Sequence, residues 1–313
     1  MSTAMVWAVI TAYRPDAGLA EAVEALRDQV TAIVVVDDGS GDESSPLLAR
    51  IQERGAIVVR NAENRGIAFS LNVGIMHALD GGADAVLTLD QDSAIGSDFV
   101  QRLGDAREAA MSAGHADPPI VPEYFAGVRQ VRTRTADGTL VARHAIQSGM
   151  LLSRTLLEQV GMMREDLFID LVDTEFEMRC VSAGKVMVAA PGLRLGHSLG
   201  RQYVRTLFGR PFSFPGIPAV ITLSTPFRYY YRVRNRVVIN REFGRTHFLW
   251  TARDTLLEAV HFLNAWQLAQ PRRSLFSVYR AAVRDARARR MGRMDARTAA
   301  LASSIKWRAE PLD

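Results

Sequence analysis

Cysteine is almost absent from this 313-residue chain: Cys180 stands alone, which excludes an intramolecular disulfide and suits a reducing compartment. It lies in an apolar, helical stretch and reads as packing. Lysine is nearly missing as well, with only Lys185 and Lys306, so the basic charge is almost all arginine. No apolar run reaches the roughly 18 residues of a membrane-spanning helix. The nearest stretch, Phe212–Phe227, is uncharged but broken by Pro215, Pro218 and Pro226, and reads as a loop or surface-seeking segment. Met1–Tyr13 lacks a basic head and runs straight into a strand-like segment, so no signal peptide is expected. Repeats and low-complexity tracts are absent. These absences lead to the expectation of a cytoplasmic protein.

What is present is ordinary for a globular chain: 48% hydrophobic and 23% charged residues, enough for one large α/β domain with an appendage or for two small ones. The charge is unevenly placed. The net +4 divides into 21 basic and 7 acidic residues from Arg201 onward, a balance of +14, and a balance of −10 before it. A basic last third interleaved with Tyr, Phe, Trp and Leu suits an anionic partner, a membrane surface or a nucleic acid; the plainer reading is a solvated arginine-rich surface.

Strand and helix patterns alternate at the start. Val6–Thr11, Thr31–Val36, Ala56–Arg60 and Ala85–Leu89 are short apolar or β-branched runs, as strands buried on both faces should be. Helical spacing covers Gly18–Val30, Ser44–Arg54 and Gly66–Leu79 between them. This order predicts a mostly parallel sheet with helices on both faces. Residues 114–145, with Pro118, Pro119, Pro122 and the Asp137-Gly138 turn signal, read as loops with an antiparallel hairpin. Helices are expected at Arg154–Val160 and Thr174–Ala183, then a strand at Val186–Ala189. Beyond His197 the spacing predicts helices over Pro226–Arg241, Thr251–Gln267 and Ser274–Met291.

Four segments carry chemistry. Val34–Ser40 ends a strand with Asp37 and Asp38 at the carboxyl edge of the sheet, where α/β folds bind ligands; a carboxylate there can accept from a pyrimidine imide N–H, or simply cap the next helix. Leu87–Asp92 ends another strand with Asp90 and Asp92 two residues apart, close enough to share a hard cation such as Mg²⁺ or Mn²⁺. Phe168–Phe176 places Asp173 just before a helix, as a cap or as a general base. Glu175 and Arg179 there are spaced to pair. His197 follows Gly196; a lone histidine is more often structural, but beside a cation it can be a ligand.

Thr11-Ala12-Tyr13, Val36–Ser40, Asn64-Arg65-Gly66, Asp90-Gln91-Asp92, Gln147-Ser148-Gly149, Asp170–Arg179 and His197, in that order over residues 5–200, resemble glycosyltransferase family 2 enzymes of the GT-A fold. The resemblance implies a Rossmann-like α/β domain over residues 1–200 with a basic, mainly helical region over 201–313. It implies nucleotide-sugar binding by Thr11, Tyr13, Asp37, Asp38, Arg65, Asp90, Gln91 and Gly149. It implies Mg²⁺ or Mn²⁺ on Asp92, Asp90 and His197, and Asp173 as the base of an inverting enzyme with Glu175 nearby. Leu167–Glu175, Leu89–Ser93 and Tyr229–Arg236 look most like the family's bacterial dTDP-rhamnosyltransferases, which implies a saccharide or lipid-linked acceptor and peripheral work at the inner membrane face. Galactofuranosyl transfer from a UDP-sugar is the nearest rival. Two departures leave the donor open: Arg14-Pro15 follows Tyr13 where Asn is common, and Glu177-Met178 stands where an aromatic or apolar residue is usual.

Other classes explain less. A sugar nucleotidylyltransferase needs a Gly-rich phosphate loop after the first strand, where Thr11–Pro15 stands. A non-catalytic nucleotide-sugar-binding protein would be expected to lack Asp92 or Asp173. A nucleic-acid binder leaves the acidic strand ends unexplained, since they repel phosphate. Arg228–Arg241 and the later helices are expected to form a basic, aromatic-bearing surface for anionic lipid; a homo-oligomer interface is the open alternative.

Overall fold

The computed structural model describes residues 4–197, 202–204, 206–207, 210–211, 220–308 and 311–312; residues 212–219 of the proline-broken apolar stretch lie outside them. The chain forms two units: Met1–Glu165 with Val172–Ser198, and Asp166–Leu171 with Leu199–Asp313. The second unit thus takes in Asp166–Leu171, which lie inside the 1–200 domain expected from the sequence.

The first unit begins as alternating strands and helices: β1 (Val6–Ala12), α1 (Ala17–Leu26), β2 (Ala32–Asp37), α2 (Ser45–Glu53), β3 (Ile57–Arg60), α3 (Ile67–Asp80) and β4 (Ala85–Asp90). It continues through α4 (Phe99–Ser112), β5 (Ile120–Phe125), β6 (Val128–Arg129), β7 (Val131–Arg134), β8 (Leu140–Ala142), β9 (Met150–Ser153), α5 (Arg154–Val160), α6 (Val172–Ser182) and β10 (Val188–Leu195). The strands make one mixed sheet in the order β3-β2-β1-β4-β9-β5-β10-β8-β7, with β6 on β5. The β3-β2-β1-β4 half is parallel throughout, and β9 enters antiparallel between β4 and β5.

Alternation along β1 explains the layers. Ala8, Ile10 and Ala12 share one core with Leu19, Val23 and Leu26 of α1 and with Phe99 and Leu103 of α4. Val9, with Val36, points at α3. A Cβ built on Gly74 of α3 would stand 2.3 Å from Val9 Cγ1 and 3.1 Å from Val36 Cγ2. Valine cannot swing clear at χ1, so Gly74→Ala should force α3 off the sheet. Overpacking costs about 1–3 kcal/mol and the helix-propensity gain returns about 1 kcal/mol. We expect a net loss of up to about 2 kcal/mol in urea unfolding; a gain in stability would contradict this packing.

The expectation of loops over residues 114–145 needs correction. β7 and β8 form the hairpin around Asp137-Gly138, but β5 is a buried internal strand parallel to β10. Pro122 hid it, because proline is rare inside sheets. Here it pairs with Ala190 where the β10 register shifts between Ala190 and Arg194, an irregularity that tolerates a missing N–H. The sequence reading also missed α4 and β9. Cys180 is fully buried on α6, and burial pushes its thiol up to about 12.

The second unit is built from α7 (Arg228–Phe243), α8 (Phe248–Leu268), α9 (Arg272–Arg287) and α10 (Ala296–Ser303), with a small sheet of Gln202–Val204, Val220–Thr222 and Pro311–Leu312. Its core is aromatic: Tyr229, Tyr230 and Tyr231 are all at most 2% exposed and pack with Leu275, Val278 and Ala282 of α9. The expected basic, aromatic surface at Arg228–Arg241 is therefore largely interior. Arg234, fully buried, donates to the carbonyls of Leu167 (2.9 Å), Asp166 and Gly292. Asn235 donates to the carbonyls of Leu167, Ile169 and Asp170 at 2.8–3.0 Å, and Arg228 pairs with the Asp170 carboxylate at 2.6 Å. These side chains satisfy a strap whose Phe168, Asp170 and Leu171 all take positive φ, a conformation non-glycine residues adopt only when held.

Candidate active site

The parallel register sets the site. Thr11 pairs with Val36 and with Asp90, and Ala12 pairs with Asp37, so the carboxyl ends of β2, β1 and β4 finish side by side. Because β2 and β4 leave β1 on opposite sides, this is the switch point where an open α/β sheet forms its crevice. Tyr13, just past β1 and 42% exposed, is tied across it by its N–H to Gln91 Oε1 at 2.8 Å.

The two aspartates at the end of β2 are spent largely on the loops around them. Asp37, fully buried, accepts from Ser40 Oγ and N–H and from Arg60 Nε at 3.3 Å. Asp38 accepts from Asn61 Nδ2 (3.0 Å) and from the N–H groups of Arg65 (2.9 Å) and Gly66 (2.8 Å). It thereby fixes the start of α3. The turn that follows them requires Gly39: with φ +72° its Cβ would lie 2.4 Å from the Glu63 carbonyl carbon. Arg65 itself is exposed, its guanidinium 3.5 Å from the centre of the Phe69 ring.

At the end of β4 the acids are arranged differently. Asp90 Oδ1 accepts from Gln147 Nε2 at 2.6 Å, and its N–H faces the hydroxyls of Ser93 and Ser148. Gly149 closes this corner by donating to the Thr88 carbonyl at 2.7 Å. An isolated antiparallel bridge, Ala94 to Gly196, with N–H···O distances of 2.8 Å both ways, brings His197 back to the loop. His197 Nδ1 lies 3.0 Å from Asp92 Oδ1, and its ring rests 4.9 Å from that of Phe125. Asp90, Asp92 and His197 each offer a ligand atom, all within 4.8 Å of one another. Two carboxylates and an imidazole, with Asp92 38% exposed, are a donor set that could hold a divalent cation open to a further ligand. A cavity of about 650 Å³ adjoins Asp92, but Asp16 and Glu21 line it; it suits a diphosphate poorly.

The acids of α6 separate into three roles. Asp173 lies inside the first turn rather than before it, half-buried, with Oδ1 accepting from the Thr174 N–H at 2.7 Å. Glu175 is 3% exposed and held by Arg179 Nε at 2.9 and 3.0 Å. Arg179 also donates to the carbonyls of Val160 and Met162, so Glu175 anchors α6 to the end of α5. Glu177, one turn on from Asp173, is wholly buried. Its Oε2 accepts from the Ala145 N–H at 3.2 Å, and Arg143 Nε stands 3.8 Å from Oε1. Burial pushes the Glu177 carboxyl up to about 8; Arg143 and the Ala145 amide pull it down, and the Asp173 charge pushes it further up. The sequence gives Arg143, Gln147, Ser148 and Glu177 no role: Gln147-Ser148-Gly149 enters only as part of the resemblance and Glu177 only as a departure from it.

Residues 7–115 match the family model described as Glycosyl transferase family 2. The dTDP-rhamnosyl transferase RfbF of Shigella flexneri is 29% identical over 269 residues, covering 82% of this chain and 86% of that protein. By both likenesses this chain is a glycosyltransferase. The glycosyltransferase also resembles the solved structure of GalNAc-T7 with UDP, GalNAc and Mn²⁺, at a TM-score of 0.50 and 15% identity. That match covers 63% of this chain and 44% of the other, so the chain spans less than half of that structure, and the likeness bears on fold alone. With it, the mixed sheet and its flanking helices are a GT-A arrangement followed by a helical C-terminal part.

Proposed function

We propose that this glycosyltransferase is an inverting, cation-dependent rhamnosyltransferase. It moves L-rhamnose from dTDP-L-rhamnose onto a hydroxyl of a saccharide or lipid-linked saccharide in the assembly of cell-surface polysaccharide. The similarity to the Shigella flexneri dTDP-rhamnosyl transferase over 82% of the chain carries the choice of sugar. The strand-end geometry supports the chemistry. Thr11, Tyr13 and Gln91 lie where the nucleotide would bind, the exposed Tyr13 ring offering a face to the base.

Asp90, Asp92 and His197 would hold Mg²⁺ or Mn²⁺, which when bound supplies positive charge for a departing diphosphate. Arg65 adds a cation of its own, held over the Phe69 ring. Asp173 accepts the proton of the acceptor hydroxyl while that oxygen bonds to the anomeric carbon and the carbon–oxygen bond to the diphosphate breaks. A single displacement inverts the configuration. The lone buried Cys180 supports a cytoplasmic setting for the reaction.

The test is release of nucleoside diphosphate from dTDP-rhamnose, UDP-galactofuranose, UDP-glucose, UDP-N-acetylglucosamine and GDP-mannose, with Mg²⁺ or Mn²⁺ and then with EDTA. Release from dTDP-rhamnose alone, abolished by EDTA, is the expected result. Release from a different donor would remove the rhamnosyl reading, and full activity in EDTA would remove the cation.

A further inference from the structure

The helix α8 is turned with its charges inward. Asp254 and Glu258, 5% and 13% exposed at their side chains, face α7: Glu258 Oε2 accepts from Arg236 Nε at 2.7 Å, and Arg232 and the Asp254–Arg236 pair close at 3.7–3.8 Å. Outward it presents Leu249, Leu256, Val260 and Leu263, spaced i, i+7, i+11 and i+14 on one stripe, with Leu257 beside them; all are 47–83% exposed. A helix that hides its acids and shows its leucines is inverted relative to an ordinary surface helix, and its apolar face is made to be covered.

Charge selects what covers it. Between Arg241 and Arg280 the exposed ionic residues are Arg241, Arg245, Arg253, Arg272, Arg273 and Arg280 against Glu242 alone. On α9, which packs against α8, Phe276 is 54% exposed and shares a helix face with Arg272, Arg273 and Arg280. A second copy would bring these arginines against their own kind. A surface of lipid phosphates would neutralise them. The stripe runs about 22 Å from Phe248 to Leu263 at the helical rise, short of the roughly 30 Å of a hydrocarbon core, and no helix among the described residues is long and apolar enough to cross one.

We propose that the outer face of α8, flanked by its one arginine, Arg253, and by the arginines of α9, seats in the plane of an anionic bilayer. Leu249, Leu256, Val260 and Leu263 enter the headgroup–acyl boundary. This narrows the surface expected over Arg228–Arg241 and the later helices to the latter, since Tyr229, Tyr230 and Tyr231 are interior, and it stands whatever the donor sugar.

Flotation of the full chain with vesicles of phosphatidylcholine, alone or mixed with phosphatidylglycerol, tests it. We expect flotation with the mixed vesicles only, weakened by salt. Leu256→Asp with Val260→Asp should lower partitioning about a hundredfold at an unchanged thermal midpoint, and Arg272→Glu with Arg273→Glu should also weaken it. Four results would overturn the proposal: no flotation of the wild type, undiminished flotation of the apolar variant, a fall of many degrees in that variant's midpoint, which would show the stripe covered by the chain itself, or a dimer that this variant splits in the absence of any flotation.

Discussion

Asp173→Asn should bind the nucleotide-sugar as the wild type does and transfer almost nothing, with kcat lower by about 10²–10⁴-fold. The amide keeps the size of the carboxylate and can still accept from the Thr174 N–H, so the first turn of α6 should hold. What it loses is basicity, because an amide cannot take the proton of the acceptor hydroxyl. The neighbouring acids offer no substitute. Glu175 is bound to Arg179 and Glu177 is wholly buried. Turnover with donor and acceptor, together with calorimetric titration of the donor, separates the two effects. Transfer within about tenfold of wild type would rule Asp173 out as the base; a matching loss of donor affinity would make it a binding residue instead.

Glu177→Gln should stabilise the protein at pH 8 and leave it nearly unchanged at pH 5. The Glu177 carboxyl is raised from its ordinary 4.5 to about 8, so between those values the native state keeps a proton that the unfolded chain has released. Stability therefore falls as pH rises across that window. It falls by at most about 1.4 kcal/mol for each pH unit. Glutamine is uncharged throughout, can still accept from the Ala145 N–H, and removes this slope. Allowing for relaxation around a buried charge, the gain at pH 8 should be about 2–4 kcal/mol. Urea midpoints at the two pH values measure it; parallel curves for the two proteins would mean that Glu177 is ionised in the fold at neutral pH. The same substitution leaves Asp173 in place, and its effect on turnover would report how far the neighbouring acid tunes the base.

The sequence by itself determined the parallel half of the sheet and the location of the strand-end acids. Strands buried on both faces must be continuous apolar runs, so Val34–Val36 and Leu87–Leu89, each stopped by aspartate, announce both a strand and the edge where it opens to ligand. It also contained α7, α8 and α9 of the second unit, whose spacing is plain from Pro226 onward, but not α10. It could not reveal β5, where a proline breaks the pattern and only the shifted register of β10 accommodates it. Nor could it separate the three acids of α6. Glu177 is distinguished by burial against the Ala145 amide, 32 residues away, which local spacing does not carry; the i, i+4 spacing foretold the pairing of Glu175 with Arg179, but not that this arginine also holds the carbonyls of Val160 and Met162. The direction of the basic helices was likewise tertiary. Tyr229–Arg236 reads as a sticky cationic surface, but the carbonyls of Asp166–Ile169 give Arg234 and Asn235 their partners inside. On α8 the periodicity announces a stripe without saying which way it faces. The arginines of α7 decided that, because Asp254 and Glu258 can be buried only where Arg232 and Arg236 meet them, and the leucines are left outside.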